Sequence, residues 1–264
     1  MATTAVQTVQ SAKALPDCWD RSAGDNLFLK QASLAVLEKV NPCGQRYHWD
    51  GGEDDCSVAV TYQHRLNILT FGKGSLALPV TIVGIPCSVS QSGCRFAEHS
   101  RDRLIQYLRD LPGSKIVLNT ACKSLPGFAN GKTLPTCRMI LAWNSFDEYL
   151  DSLRSHYRHR IRKALSSWED VQSIQIANHA FGDDLYSLYE NVHRRSRYKL
   201  EKLPPAFFHE FPSEITVFVH RGRPIAFVQT TSHNNELNFL FAGMDYTESH
   251  QLDTYMNVLV QCKI

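Results

Sequence analysis

The chain has 264 residues, of which 43% are hydrophobic and 20% charged, and its net charge is +2. That length suffices for one large domain or two ordinary ones with proper cores, and the composition excludes a disordered or fibrous chain. A charge so close to balance excludes a global drive toward nucleic acid, so any cationic partner surface must be local.

Eight cysteines, at 18, 43, 56, 87, 94, 122, 137 and 262, make no CxxC and no zinc-finger spacing with histidine. Scattered through a chain this long, they read as reduced thiols in a reducing compartment, with a Cys87–Cys94 disulfide as the pairing that closeness in sequence allows. No apolar run approaches the roughly 18 residues of a membrane span, and the N-terminus lacks a signal-peptide core. The expected location is cytoplasmic.

Taken in order, residues 1–22 are small and polar and read as a flexible lead-in. Residues 27–40, LFLKQASLAVLEKV, carry a helical repeat stopped by Asn41-Pro42. The segment GQRYHWDGGEDD is a loop by composition. Its His48, Asp50, Glu53, Asp54 and Asp55 match no metal cage, so they read as a solvated turn, and no metal site is expected. Three Val/Ile-rich runs at 57–62, 66–71 and 80–86 predict an antiparallel meander. A helix at 97–111 follows, then strands at 115–120 and 137–142.

Residues 143–168, WNSFDEYLDSLRSHYRHRIRKALSSW, predict one long amphipathic helix. Phe146, Leu150, Leu153, Tyr157, Ile161 and Leu165 form its apolar stripe, and Ser145 with Glu148 has the form of a capping box. Arg154, Arg158 and Arg162 form a ridge beside that stripe, with Lys163 at the basic end. The ridge reads either as a solvated face complementing the helix dipole or as an anion site using bidentate arginine.

A strand at 171–177 and a helix at 183–197 come next, and that helix ends in the basic cluster HRRSRYK. Pro204-Pro205 then precedes Phe207, Phe208 and Phe211, an aromatic group expected in the core. A second meander follows at 215–220, 225–232 and 236–243, with His233 in a surface turn, and a helix-like run from 251 to 264 closes the chain. LNILTFG in the first half and LNFLFAG in the second are similar in wording, and the shared order of elements predicts two related α/β domains.

Four segments carry a family resemblance: FDEYLDSLRSHYRHRIRKAL, DLYSLYENVHRRSRYKLEKLPPAFF, VFVHRGRPIAFVQ and LNFLFAGMDY. Together they resemble the GNAT superfamily, specifically the FemAB-type aminoacyl- and acyltransferases. The resemblance implies an α+β fold of two tandem GNAT-like domains, a degenerate one over 23–142 and a second over 143–264, each a mixed, mostly antiparallel sheet flanked by helices. It implies transfer of an acyl group from acyl-CoA or aminoacyl-tRNA to an amine acceptor, with no other cofactor and with tRNA as a possible partner. Leu240, Phe241 and Gly243 would then touch the donor through their backbone, and Arg158, Arg162, Lys163 and Arg195 would meet its phosphates. Tyr246 or Tyr255 would be the proton donor.

The Gly-rich pyrophosphate loop of ordinary GNAT enzymes is missing, and the chain ends at Ile264, inside a helix that relatives continue into a further strand. The second domain is therefore expected to be C-terminally incomplete. A second reading stays open: a catalytically inactive GNAT-fold binding module that uses the basic helix at 154–163, with Arg194 and Arg195 added to its cationic surface.

Overall fold

Two separate sheets organise the chain, one within residues 1–136 and one within 137–264, so the fold class is α+β. The computed structural model describes residues 5–52, 55–67, 76–87, 89–132, 136–197, 201–247 and 252–260.

In the first unit the order is β1 (Gln7–Val9), α1 (Asp17–Ala23), α2 (Gln31–Val40), β2 (Arg46–Gly51), β3 (Cys56–Asn67) and β4 (Ala77–Val83). After these come β5 (Cys94–Arg95), α3 (Arg101–Asp110) and β6 (Ser114–Val117). The sheet runs β1-β2-β3-β4-β6, antiparallel throughout except for the parallel β4–β6 pair, and β5 pairs with the start of β3.

Helices cover both faces of this sheet. Trp19 of α1 meets Tyr47 of β2 edge to face at 6.0 Å, while Leu104 and Leu108 of α3 pack on Ala59, Val83 and Cys94. A strand covered on both faces buries both parities of its residues. That explains β2, where a loop was expected. Tyr47 and Trp49 are buried on one face. His48 and Asp50 are buried in alternation with them, bonded rather than solvated. Glu53 and Asp54 lie outside the described residues.

Other expectations are corrected too. The N-terminal lead-in is ordered from residue 5, because β1 pairs with β2 and α1 buries Cys18 and Trp19. The runs at 57–62 and 66–71 belong to one strand, β3, as far as the structure describes them. The helix predicted over 27–40 is interrupted at Lys30, where Asp20 accepts from the Gln31 amide at 2.7 Å and so starts α2. Cys87 and Cys94 are both buried and neither is in a disulfide, so the pairing allowed by their spacing is not formed.

The second unit contains α4 (Phe146–Ser152), α5 (Ser155–Ser166), β7 (Val171–Ile176), α6 (Asp183–Arg195) and α7 (Pro205–Glu210). It continues with β8 (Glu214–His220), β9 (Arg223–His233), β10 (Glu236–Met244) and α8 (Thr254–Val260). Its sheet runs β7-β8-β9-β10 and is antiparallel throughout. The β9–β10 turn places Asn234 and Asn235 at φ 47° and 59°, the paired left-handed residues of a type I′ hairpin. On one face Phe207 and Phe208 of α7 and Tyr189 of α6 crowd Phe241 at centroid distances of 5.5, 6.0 and 5.9 Å. The Phe207, Phe208 and Phe211 group is core. On the other face Trp168 and Val258 pack with Phe218, Ala226, Val228, Ala242 and Met244.

The long helix at 143–168 is two helices. Leu153 and Arg154 adopt extended backbone (ψ 149° and 145°) between α4 and α5. Arg158 closes the break by donating to the Leu153 carbonyl at 3.1 Å and pairing with Asp151 at 3.2 Å. Ser145 does cap the Glu148 amide at 3.2 Å, but Glu148 reaches back to the Asn144 amide instead of Ser145's own. Tyr157, placed on the apolar stripe by spacing, is 53% exposed because the break resets the helical phase. The segment expected as a strand at 137–142 has no regular structure, and Met139, Ile140 and Leu141 are exposed. Among the described residues, no helix is long and apolar enough to cross a membrane.

Candidate functional site

The residues singled out from sequence divide sharply once placed. Phe241 and Gly243 face α6 and α7. A Cβ on Gly243 would lie 2.2 Å from Cε1 of Phe227 and 2.8 Å from the Leu188 backbone. Glycine is therefore needed there for α6 to approach the sheet, which gives it a packing role. Phe241 is committed to the aromatic cluster. Leu240 is the extra residue of a β-bulge, since Phe239 pairs with Thr230 and Phe241 with Gln229. Bulges bend a strand and recur beside active sites.

Arg158 and Arg162 both face Asp151, at 3.2 and 3.9 Å, and Arg158 also holds the helix break. Lys163 is exposed on α5. The ridge thus serves its own helix pair. Tyr255 on α8 is 62% exposed.

Arg195 and Tyr246 come together. The last turn of α6 lies against the exit of β10, where Asn191 donates to the Met244 carbonyl at 3.3 Å. There Asn191, Arg194, Arg195, Asp245, Tyr246 and Thr247 line a recess of about 230 Å³. This is below the usual volume for a drug-sized ligand and suits a phosphate or carboxylate head, or a short acyl group. The Arg195 guanidinium sits 3.9 Å from the centre of the Tyr246 ring, a cation–π contact that fixes both side chains. Partial burial holds the Tyr246 phenol above its ordinary pKa; Arg195 works against that rise and Tyr255 adds to it. The phenol is protonated at neutral pH.

Asp245 opposes an anion less than its position in sequence implies. One carboxylate oxygen accepts from the Thr247 amide and hydroxyl at 2.8 and 2.7 Å, an Asx turn, and the other faces Arg223 at 3.8 Å. Glu248, acidic like Asp245, lies outside the described residues. Asn191, Arg223 and Thr247 were not legible as site residues, because each takes its place only through the packing of α6 and β9 on β10. The basic cluster that ends the 183–197 segment, with Tyr246 beyond β10, was the sign of this region in the sequence.

Among the described residues no three His, Cys, Asp or Glu side chains gather as a metal site. Comparison of the chain with protein-family models and with curated proteins finds no match to either.

Proposed function

We propose that this protein is a cytoplasmic acyl- or aminoacyltransferase of GNAT type, with its donor site at the exit of β10. The observation that carries this reading is the Arg195–Tyr246 pair at the lip of the recess. It joins a cation for a donor phosphate to a protonated phenol within one small volume. In the reaction, a neutral amine attacks the thioester or ester carbonyl and the tetrahedral intermediate collapses. The departing sulfur or ribose oxygen then takes the Tyr246 proton, and the proton that the amine nitrogen sheds on becoming an amide restores the phenol. Arg194 and Arg195 bind the phosphate charge, for which arginine's fork geometry is suited. The four segments that resemble the FemAB group, and the strand, two helices and three-stranded meander repeated in each unit, agree with the same reading.

Titration calorimetry with acetyl-CoA and with aminoacyl-tRNA tests the proposal. Arg195→Ala is expected to weaken donor binding about 10-fold, the worth of one charged hydrogen bond. Tyr246→Phe is expected to keep binding and lower kcat about 100-fold, a typical general-acid contribution. Binding of neither donor by the intact chain would overturn the reading. Binding without transfer would leave an anion-binding module, and transfer unchanged in Tyr246→Phe would overturn the role given to this phenol. A steep loss of affinity with salt would identify tRNA as the donor.

A further inference from the structure

The first unit brings together two cysteines that lie 38 residues apart in sequence. Cys18 stands on α1 and Cys56 opens β3, with their sulfurs 2.7 Å apart. Ser22, one turn beyond Cys18, contacts the Cys56 sulfur at 3.3 Å and accepts from the Cys56 amide at 3.1 Å, which holds α1 against the strand. Cys18 also lines a cavity of about 550 Å³ with Asp17, Arg21, Trp49, Gly51 and Gly52. That volume admits a ligand of small-peptide size.

We propose that Cys18 and Cys56 form a reversible intramolecular disulfide, by exchange with a small-molecule disulfide such as oxidised glutathione that enters through this cavity. Cys18, itself buried at 5% exposed, is the thiol of the two that borders the cavity and so is the entry thiol. Its sulfur attacks oxidised glutathione, forming a mixed disulfide and releasing one glutathione thiol. Cys56, 1% exposed, then attacks the Cys18 sulfur and expels the second glutathione. Each departing glutathione carries away one of the two protein thiol protons, so two glutathiones are reduced as two cysteines are oxidised. Arg21 and Asp17 on the cavity wall give a cation and an anion to face a zwitterionic tripeptide. The bond staples α1 to the β2–β3 hairpin and closes a long loop, which stabilises a fold by restricting its unfolded chain.

The test incubates the full chain with oxidised glutathione, blocks remaining thiols under denaturing conditions and maps linkages by peptide mass spectrometry. A Cys18–Cys56 crosslink is expected, lost on reduction, with Tm raised by roughly 5–15 °C in the oxidised protein. Cys56→Ala is expected to stop at a glutathione adduct on Cys18, and Cys18→Ala to leave Cys56 unmodified. The wild-type map decides the matter even if a variant fails to fold. Recovery of both residues as free thiols, or linkage of either to another cysteine, overturns the proposal.

Discussion

The two units follow the same order, strand, two helices, three-stranded meander, helix, and part company where the chain leaves the third strand of the meander. In the first unit residues 89–100 fold back onto β3. The Val60 amide donates to the Gly93 carbonyl at 2.8 Å, and Cys94–Arg95 pair with Val58–Ala59. The start of α3 is then sealed, since Ser100 is fully buried and its hydroxyl lies 2.8 Å from that of Ser57. In the second unit pairing runs to Met244 opposite Ala226, and Asp245 turns the chain away. Beside the start of the central strand stands β5 in one unit and the end of β10 itself in the other, and a recess edged by arginine and tyrosine lies just beyond β10. One plan thus takes two forms at the connection that follows the third meander strand.

The most damaging test of that contrast is Gly93→Ala. A Cβ there would lie 2.3 Å from two backbone atoms of Gly84, and backbone cannot swing aside as a side chain does. The substitution is expected to cost about 3 kcal/mol, the upper range for overpacking, and to lift β5 from β3. Cys94, now buried where β5 pairs with β3, should begin to react with a thiol reagent in the folded protein. An unreactive Cys94 in a stable variant would mean that β5 does not depend on this close approach.

The second test separates the units by acid. His48 is buried between the hydroxyls of Thr8 and Thr61 at 2.8 and 2.9 Å, and burial, helped by Arg46, lowers its pKa to about 4. Between pH 6.5 and 4 the unfolded chain binds a proton that the folded one refuses. This stability is fully present above about pH 6.5 and is lost as pH falls toward 4, on the order of 3 kcal/mol in all. Urea unfolding followed by a signal from Trp19 and Trp49 should show the slope, and His48→Gln should flatten it. An equal slope in both proteins would move its origin to another group.

Much of the second unit was legible in its sequence because its meander strands are rich in Val, Ile and Phe and its turns carry their own residues. Asn234-Asn235 alone fixes one hairpin. The first unit was harder to read. β2 is buried on both faces, so its composition, with His48, Asp50 and two glycines after them, mimics a loop. The break at Leu153 depends on a tertiary choice, the Arg158 guanidinium taking a carbonyl that a continuous helix would bond internally. The recess was hidden for a similar reason. Its arginine comes from a helix end and its tyrosine from a strand exit 51 residues later by numbering (246 − 195), and only packing joins them.

The smallest expected effect concerns α4 and α5, which precede β7 and mark a second difference between the described parts of the two units. Because Arg158 serves Asp151 and the Leu153 carbonyl, Arg158→Ala should lower the stability of the second unit by about 1 kcal/mol. It should leave acetyl-CoA affinity unchanged, whereas Arg195→Ala weakens it. Because the recess is lined by α6 and not by α5, the two substitutions should also be additive in binding, as independent sites are. Coupling between them, or a loss of affinity in Arg158→Ala comparable to that in Arg195→Ala, would extend the anion site from α6 onto the basic helix and return the arginine ridge to the functional surface.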